Sequence, residues 1–117
     1  MSPGKADFPK QARLRKRPEF IDLSRRGKKI HTPHFVVITR PNDGKQARLG
    51  VTVSAKVGNA VARNRVKRLV RECFRRCRRD IVPVLDVLVI ARDAAADISY
   101  AQTESELKKA LVRNGSR

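Results

Sequence analysis

Apolar positions along this chain change period from helical to extended and back, and the helical period is plainest between Ala62 and Arg79. At about 100° per residue, the α-helical step, Ala62, Val66, Leu69, Val70, Cys73, Phe74 and Cys77 gather on one side. The opposite side carries Asn64, Lys67, Arg68, Arg71, Arg75, Arg78 and Arg79, with Arg63, Arg65 and Arg76 nearer its borders. The spacing therefore predicts a long amphipathic helix. Lys56–Asn59 reads as a tight loop, Asn59 as the N-cap, and Pro83 stops continuation beyond about Asp80.

The remaining pattern supplies shorter elements. Pro18 suits a first helical residue, and Glu19 suits the first turn. Phe20, Ile21 and Leu23 make an apolar stripe, and Gly27 reads as a left-handed cap after Arg25-Arg26. His34–Thr39 is β-branched and apolar, a strand. Pro41-Asn42-Asp43-Gly44 is a turn signal, and Arg48–Ser54 alternates as a second strand, predicting a hairpin of the two. Lys28–Thr32 adds a short strand before them. Leu85–Ala91 is a buried-strand pattern. Ser99 caps a last helix with Tyr100, Thr103, Leu107, Ala110 and Leu111 on one face, ended by Asn114-Gly115. The order α-β-β-β-α-β-α predicts an α+β fold, a small single-domain sandwich of helices on one sheet. A single domain over residues 1–117 is expected, with 1–12 and 114–117 flexible.

Composition sharpens this picture. The 117 residues include 28 Lys and Arg against 11 Asp and Glu, a formal net charge of +17. Self-repulsion on that scale opposes folding unless an anionic partner offsets it. Arg (18) outnumbers Lys (10), which favours planar, bidentate phosphate contacts. With five aromatic residues and no Trp, the core must be largely Val, Ile, Leu and Ala. No stretch approaches the ~20 apolar residues of a membrane span, and the N-terminus lacks an apolar signal core. A cytoplasmic protein with no membrane partner is expected. Cys73 and Cys77 lie on the apolar helix face. Two cysteines without further ligands make a poor zinc site, so both read as reduced packing residues.

The candidate chemistry is binding. The acidic residues are dispersed, without the clustered set that would hold two Mg²⁺ for phosphodiester cleavage. There is no phosphate loop, and His31 and His34 fall on opposite faces of an extended chain. No catalytic residue is assigned to the protein. On the basic helix, Asn64, Lys67, Arg68, Arg71, Arg75 and Arg78 occupy about a third of the circumference, a ridge able to touch several phosphates at once. Asn64, a poor mid-helix residue, has an amide suited to a phosphate, a ribose hydroxyl or a base edge.

The segment from Lys56 to Arg75, with Arg63-Asn64-Arg65 at its centre, resembles the signature of the bacterial ribonuclease P protein component. The likeness extends from Arg13-Leu14 and Glu19-Phe20 through Phe35 and Leu49-Gly50-Val51 to Val89-Ile90-Ala91-Arg92 and the Tyr100 helix, about 100 residues. It implies a fold like a domain of ribosomal protein S-five, with a left-handed β-α-β crossover against the usual rule. It also implies a ribonucleoprotein that removes the 5′ leader of precursor tRNA, with a Mg²⁺-dependent catalytic centre in the RNA subunit. The implied partners are that catalytic RNA and precursor tRNA, with no protein partner.

Carried over by position, Lys56, Asn59, Arg63, Asn64, Arg65, Lys67, Arg68 and Arg71, with Arg75 on the same ridge, would face the catalytic RNA. A cleft between the first helix and the sheet would take the leader, using Arg13, Lys16, Phe20, Val36, Ile38 and Arg92. Phe20 would stack a base; its alternative is packing in the core. The chain departs from the family pattern at Ser24 and Ile38, where relatives often carry aromatics, and at Asp93, where a basic residue is common. The cleft is therefore expected to rely more on aliphatic and ionic contacts. The competing functional reading is a structural, ribosomal-type RNA-binding protein with no processing role.

Overall fold

The computed structural model describes residues 17–42, 47–77 and 85–115, with side chains from Ile21 to Leu111 within those spans. The elements are α1 (Arg17–Arg26), β1 (Lys28–His31), β2 (Phe35–Pro41), β3 (Arg48–Thr52), α2 (Ala60–Cys77), β4 (Leu85–Ala91), a 3-10 helix (Asp93–Asp97) and α3 (Tyr100–Gly115). The expected α+β order is met. The ends at 1–12 and 116–117, and Arg78–Asp80, lie outside the described residues.

Strand order departs from expectation. The sheet runs β1-β2-β4-β3, with β1 antiparallel to β2, β2 antiparallel to β4, and β3 parallel to β4. The tight hairpin is β1–β2. The predicted β2–β3 hairpin does not form, because β4 lies between those strands. Burial explains the placement. β4 is enclosed along its length apart from a half-buried Ile90, so it needs a strand on either side. β3, with Thr52 exposed and Arg48 half-buried, tolerates an edge.

Alternation along the strands divides the sheet into two faces. Phe35, Val37, Leu49, Val87 and Val89 point to the larger core, under Val66, Val70, Cys73 and Phe74 of α2 and Leu107 and Leu111 of α3. Ile38 and Leu88 point the other way and pack with Leu23 of α1. The result is three layers, with α1 on one side of the sheet and α2 and α3 on the other. Ile21, expected on the apolar stripe of α1, is instead exposed. Its neighbour Leu23 alone of the two reaches the sheet.

Gly27 ends α1 for a different reason from the one its sequence position suggests. It has no left-handed backbone, and its N–H donates to the Leu23 carbonyl at 2.8 Å, continuing the helical pattern. What excludes a side chain is proximity: a Cβ there would lie 2.4 Å from Ile38 Cγ2 and 2.7 Å from the Leu23 carbonyl oxygen. Gly27→Ala should lower stability by about 1–3 kcal/mol through overpacking, read as a fall in the urea midpoint by circular dichroism.

Candidate nucleic-acid interface

The site begins with the start of α2. Asn59 Oδ1 accepts from the Ala62 N–H at 2.9 Å, the N-cap expected from sequence. Its carbonyl accepts the Arg63 N–H at 2.9 Å, the first helical bond. The helix then runs 18 residues, about 27 Å. Val66, Val70, Cys73, Phe74 and Cys77 are buried, which sets its rotation about its own axis. Burial pushes the Cys73 thiol up to about 12, so it stays neutral and serves as packing. Both cysteines are free thiols.

With that rotation set, Lys56, Asn59, Asn64, Arg68 and Arg71 are exposed and Lys67 is half-buried. No ion pair to another described residue engages Lys67, Arg68 or Arg71. Val61 sits beside them with 75% of its surface exposed. This is a cationic ridge whose donors remain available.

Three of the residues expected to face the RNA sit differently. Arg65 points along the protein surface, its Nη2 donating to the Ile98 carbonyl at 2.6 Å and its Nη1 to the Ala96 carbonyl at 3.3 Å. Arg63 is half-buried, with Nε enclosed and unpartnered. Arg75 holds Glu72 through Nε at 3.1 Å and Nη2 at 2.6 Å, and Arg76 Nε joins at 3.0 Å. The Arg75 hydrogen bond is the main influence holding the Glu72 carboxyl below its ordinary value; partial burial opposes it, and Arg76 adds to it. The helical wheel had placed Arg63 and Arg65 at the border of the polar face. The structure agrees with the wheel.

The α1-side face of the sheet carries three cross-strand rows. Arg40, Asp86 and Arg48 form one; Lys29, Ile38, Leu88 and Gly50 the next; His31, Val36, Ile90 and Thr52 the third. Of the leader residues expected from resemblance, Ile38 lies under α1 with only 1% exposed. Val36 is half-buried and open, and Ile90, not foreseen, lies directly opposite it. That pairing becomes visible only once β4 is known to adjoin β2. Arg92 is exposed, but its Nη1 donates to the Thr32 carbonyl at 3.1 Å. Arg13 and Lys16 lie outside the described residues, and Phe20 is described only as backbone within α1.

Two buried carboxylates escaped the sequence reading. Asp86 takes a bidentate pair from Arg48, both bonds 2.8 Å, and single bonds from Asn42 Nδ2 at 2.8 Å and Arg40 Nη2 at 3.3 Å. Arg40 also pairs with Asp22 of α1. The signal for this cluster was a lone acid inside an apolar strand, which requires a cationic partner. Glu106 of α3 gathers the β1–β2 turn: Thr32 Oγ1 donates at 2.6 Å, the His34 N–H donates at 3.0 Å, and His34 Nδ1 lies 2.6 Å away. A groove of about 800 Å³ beside it, between β1 and α3, includes Lys28, His31, Gln102, Ser105 and Lys109. It lies apart from the α2 ridge.

Among the described residues, no three His, Cys, Asp or Glu side chains come together. Asp22, Glu72, Asp86 and Glu106 each already neutralise basic or hydrogen-bond-donating neighbours. This donor set does not fit a catalytic Mg²⁺. No helix among the described residues is long and apolar enough to cross a membrane.

Fold and surface together define a small basic α+β protein with a cationic face suited to a polyanion. A model of the family described as Ribonuclease P matches residues 8–115. The ribonuclease P protein component of Citrifermentans bemidjiense is 40% identical over 108 residues, covering 92% of each chain. That of Desulfatibacillum aliphaticivorans is 45% identical over 109 residues, 93% of this chain and 88% of the relative. The solved ribonuclease P protein of Thermotoga maritima superposes with a TM-score of 0.78 at 35% identity, covering 86% of this chain and 96% of the other. That of Staphylococcus aureus gives 0.75 at 34%, covering 88% and 94%. The chain belongs to the ribonuclease P protein family and is a protein component of that endoribonuclease.

Two outcomes follow from the buried carboxylates. Asp86→Ala leaves two guanidinium groups facing each other across β4 and should cost about 3 kcal/mol, measured by urea unfolding. Burial raises the Glu106 carboxyl, but the Thr32 and His34 hydrogen bonds and the His34 charge outweigh it, leaving its pKa lowered. Because the folded value is depressed, the stabilisation is present above the unfolded glutamate pKa of about 4.3. It is lost as pH falls through the lower, folded value. Stability measured from pH 6 to pH 3 should fall more steeply in the wild type than in Glu106→Gln.

Proposed function

We propose that the protein binds the catalytic RNA of ribonuclease P through the exposed ridge of α2 and holds the 5′ leader of precursor tRNA against the α1-side sheet face. In this reading the protein promotes endonucleolytic removal of the leader, and the RNA subunit contains the reacting groups and the Mg²⁺. The observation that carries it is the ridge itself: Lys67, Arg68 and Arg71 project from a helix whose other side is buried, with Asn64 between them. Lys56 and Asn59 extend it at the helix start. Arg63 lies at its edge, and Arg65 and Arg75 contribute less than their sequence positions suggest.

The leader would lie along Val36 and Ile90, between exposed His31 and Thr52. These aliphatic and polar groups offer van der Waals contact and backbone recognition without base-specific readout. Phe20, from α1, would supply the stacking ring. The wild-type assay is cleavage of precursor tRNA by the cognate RNA at low Mg²⁺, with and without protein. Faster cleavage with protein is expected, and unchanged cleavage would overturn the reading.

Neutralisation of about five phosphates by the ridge should make affinity for the catalytic RNA fall roughly 100- to 500-fold between 50 and 200 mM salt. Arg68→Ala should weaken that affinity and reduce the salt slope by about 0.7–0.9. Phe20→Ala should instead leave RNA assembly intact and weaken leader-dependent substrate binding by about 1–3 kcal/mol. Filter binding with leader-bearing and mature tRNA separates the two defects.

A further inference from the structure

We infer that Arg65, the second arginine of Arg63-Asn64-Arg65, is a positioning residue that couples the RNA-binding helix to the rim of the leader surface. It does not contact phosphate itself. The argument starts from its geometry. Arg65 leaves α2 at the border of the polar face, and both terminal nitrogens are committed to carbonyls two residues apart, Ala96 at 3.3 Å and Ile98 at 2.6 Å. A planar fork can span two such acceptors, whereas a lysine ammonium is a single point donor. Its neighbours Asn64 and Arg68 are exposed, while Arg65 is half-buried.

The segment it grips is short and connects two functional regions. It begins directly after Arg92, whose N–H donates to the His34 carbonyl at 2.8 Å and whose Nη1 donates to the Thr32 carbonyl. It ends at Ser99, which caps α3 by accepting the Gln102 N–H at 3.1 Å. Within it, the Ala95 N–H bonds the Arg92 carbonyl at 2.9 Å and the Ile98 N–H bonds the Ala95 carbonyl at 3.1 Å. A continuous set of bonds thus runs from α2 through Arg65 and residues 95–98 to Arg92 and the β1–β2 turn. That turn ends next to Val36. Movement of α2 on the RNA is transmitted to this rim through Arg65, which α2 sends directly to the segment.

The role of the rim in leader binding rests on the function proposed above, and the test keeps the two separable. Binding to the catalytic RNA is measured against salt for the wild type, Arg68→Ala, Arg65→Ala and Arg65→Lys. The preference for leader-bearing over mature tRNA is then measured in each assembled particle, together with Arg92→Ala and the Arg65→Ala, Arg92→Ala double variant. Amide exchange at residues 95–103 reports on the clamp directly. The expected result for Arg65→Ala is an unchanged salt slope, faster exchange in that segment, and a leader preference reduced about fivefold or more, the lower end of typical coupling between sites. Arg65→Lys, which keeps the charge and is the variant to use should Arg65→Ala unfold, should lose the preference as well. The double variant should lose little beyond Arg92→Ala alone.

A salt slope reduced as in Arg68→Ala, wild-type leader preference in Arg65→Lys, or additive losses in the double variant would each overturn the inference. If wild-type particles show no leader preference, the leader surface is wrong. An unchanged salt slope with faster exchange would then still establish Arg65 as a clamp.

Discussion

α2 is a helix that its own charges oppose. Lys67 and Arg71 are one turn apart, as are Arg68 and Arg71, and like-charge neighbours at such spacings cost a few tenths of a kcal/mol each. In proteins, moreover, most of a helix's stability comes from tertiary packing of its amphipathic face. What outweighs the repulsion is the burial of Val66, Val70, Cys73, Phe74 and Cys77 against the sheet, each large apolar side chain contributing about 1.5–3 kcal/mol. The same contact sets the phase of the helix, so it decides which cations face outward. Stability and the binding surface therefore depend on one packing arrangement, that of the apolar stripe of α2 against β3 and α3.

The cations divide into two groups according to where that interface leaves them. Arg40 and Arg48 surround the Asp86 carboxylate, Arg75 and Arg76 share Glu72, and Arg65 and Arg92 bind backbone carbonyls. The guanidinium groups of Arg40, Arg48, Arg65 and Arg92 hold strands, turns and helices to one another, whereas the Arg75 and Arg76 pairs lie within α2. Among the described residues, no carboxylate pairs with Arg68, Arg71 or Lys67. The outer side of α2 thus presents cations that an RNA backbone can neutralise. The two buried acids among the described residues, Asp86 and Glu106, sit at joints between elements and neutralise or anchor the groups that meet there.

The carboxylate of Glu106 illustrates this placement. It lies on α3, yet it organises Thr32 and His34 more than seventy residues earlier in the chain. Arg92 reaches the same turn from the end of β4. The β1–β2 hairpin is consequently held by two elements from the C-terminal part of the fold, and its strand residues Val36 and Ile38 inherit fixed positions on the α1-side face.

The helices, the N-caps of α2 and α3 and the outward ridge were legible in the sequence, since each depends on residues within a few positions of one another. Asn59 and Ser99 cap where their side chains predict, and the period from Ala62 to Cys77 separates buried from exposed positions. Leu85–Ala91 likewise reads as an enclosed strand. The wheel even placed Arg65 at a border, where a side chain can turn toward either solvent or protein. Tertiary structure decided which way it turned, because the Ala96 and Ile98 carbonyls reach it only through packing of a distant segment. Tertiary structure also placed β4 between β2 and β3, set Ile90 opposite Val36, and brought Ile38 close enough to Gly27 to exclude a side chain. Local periodicity encodes which face of an element is apolar. It carries no information on which other element covers that face, because that choice is made by contacts between residues far apart in the chain.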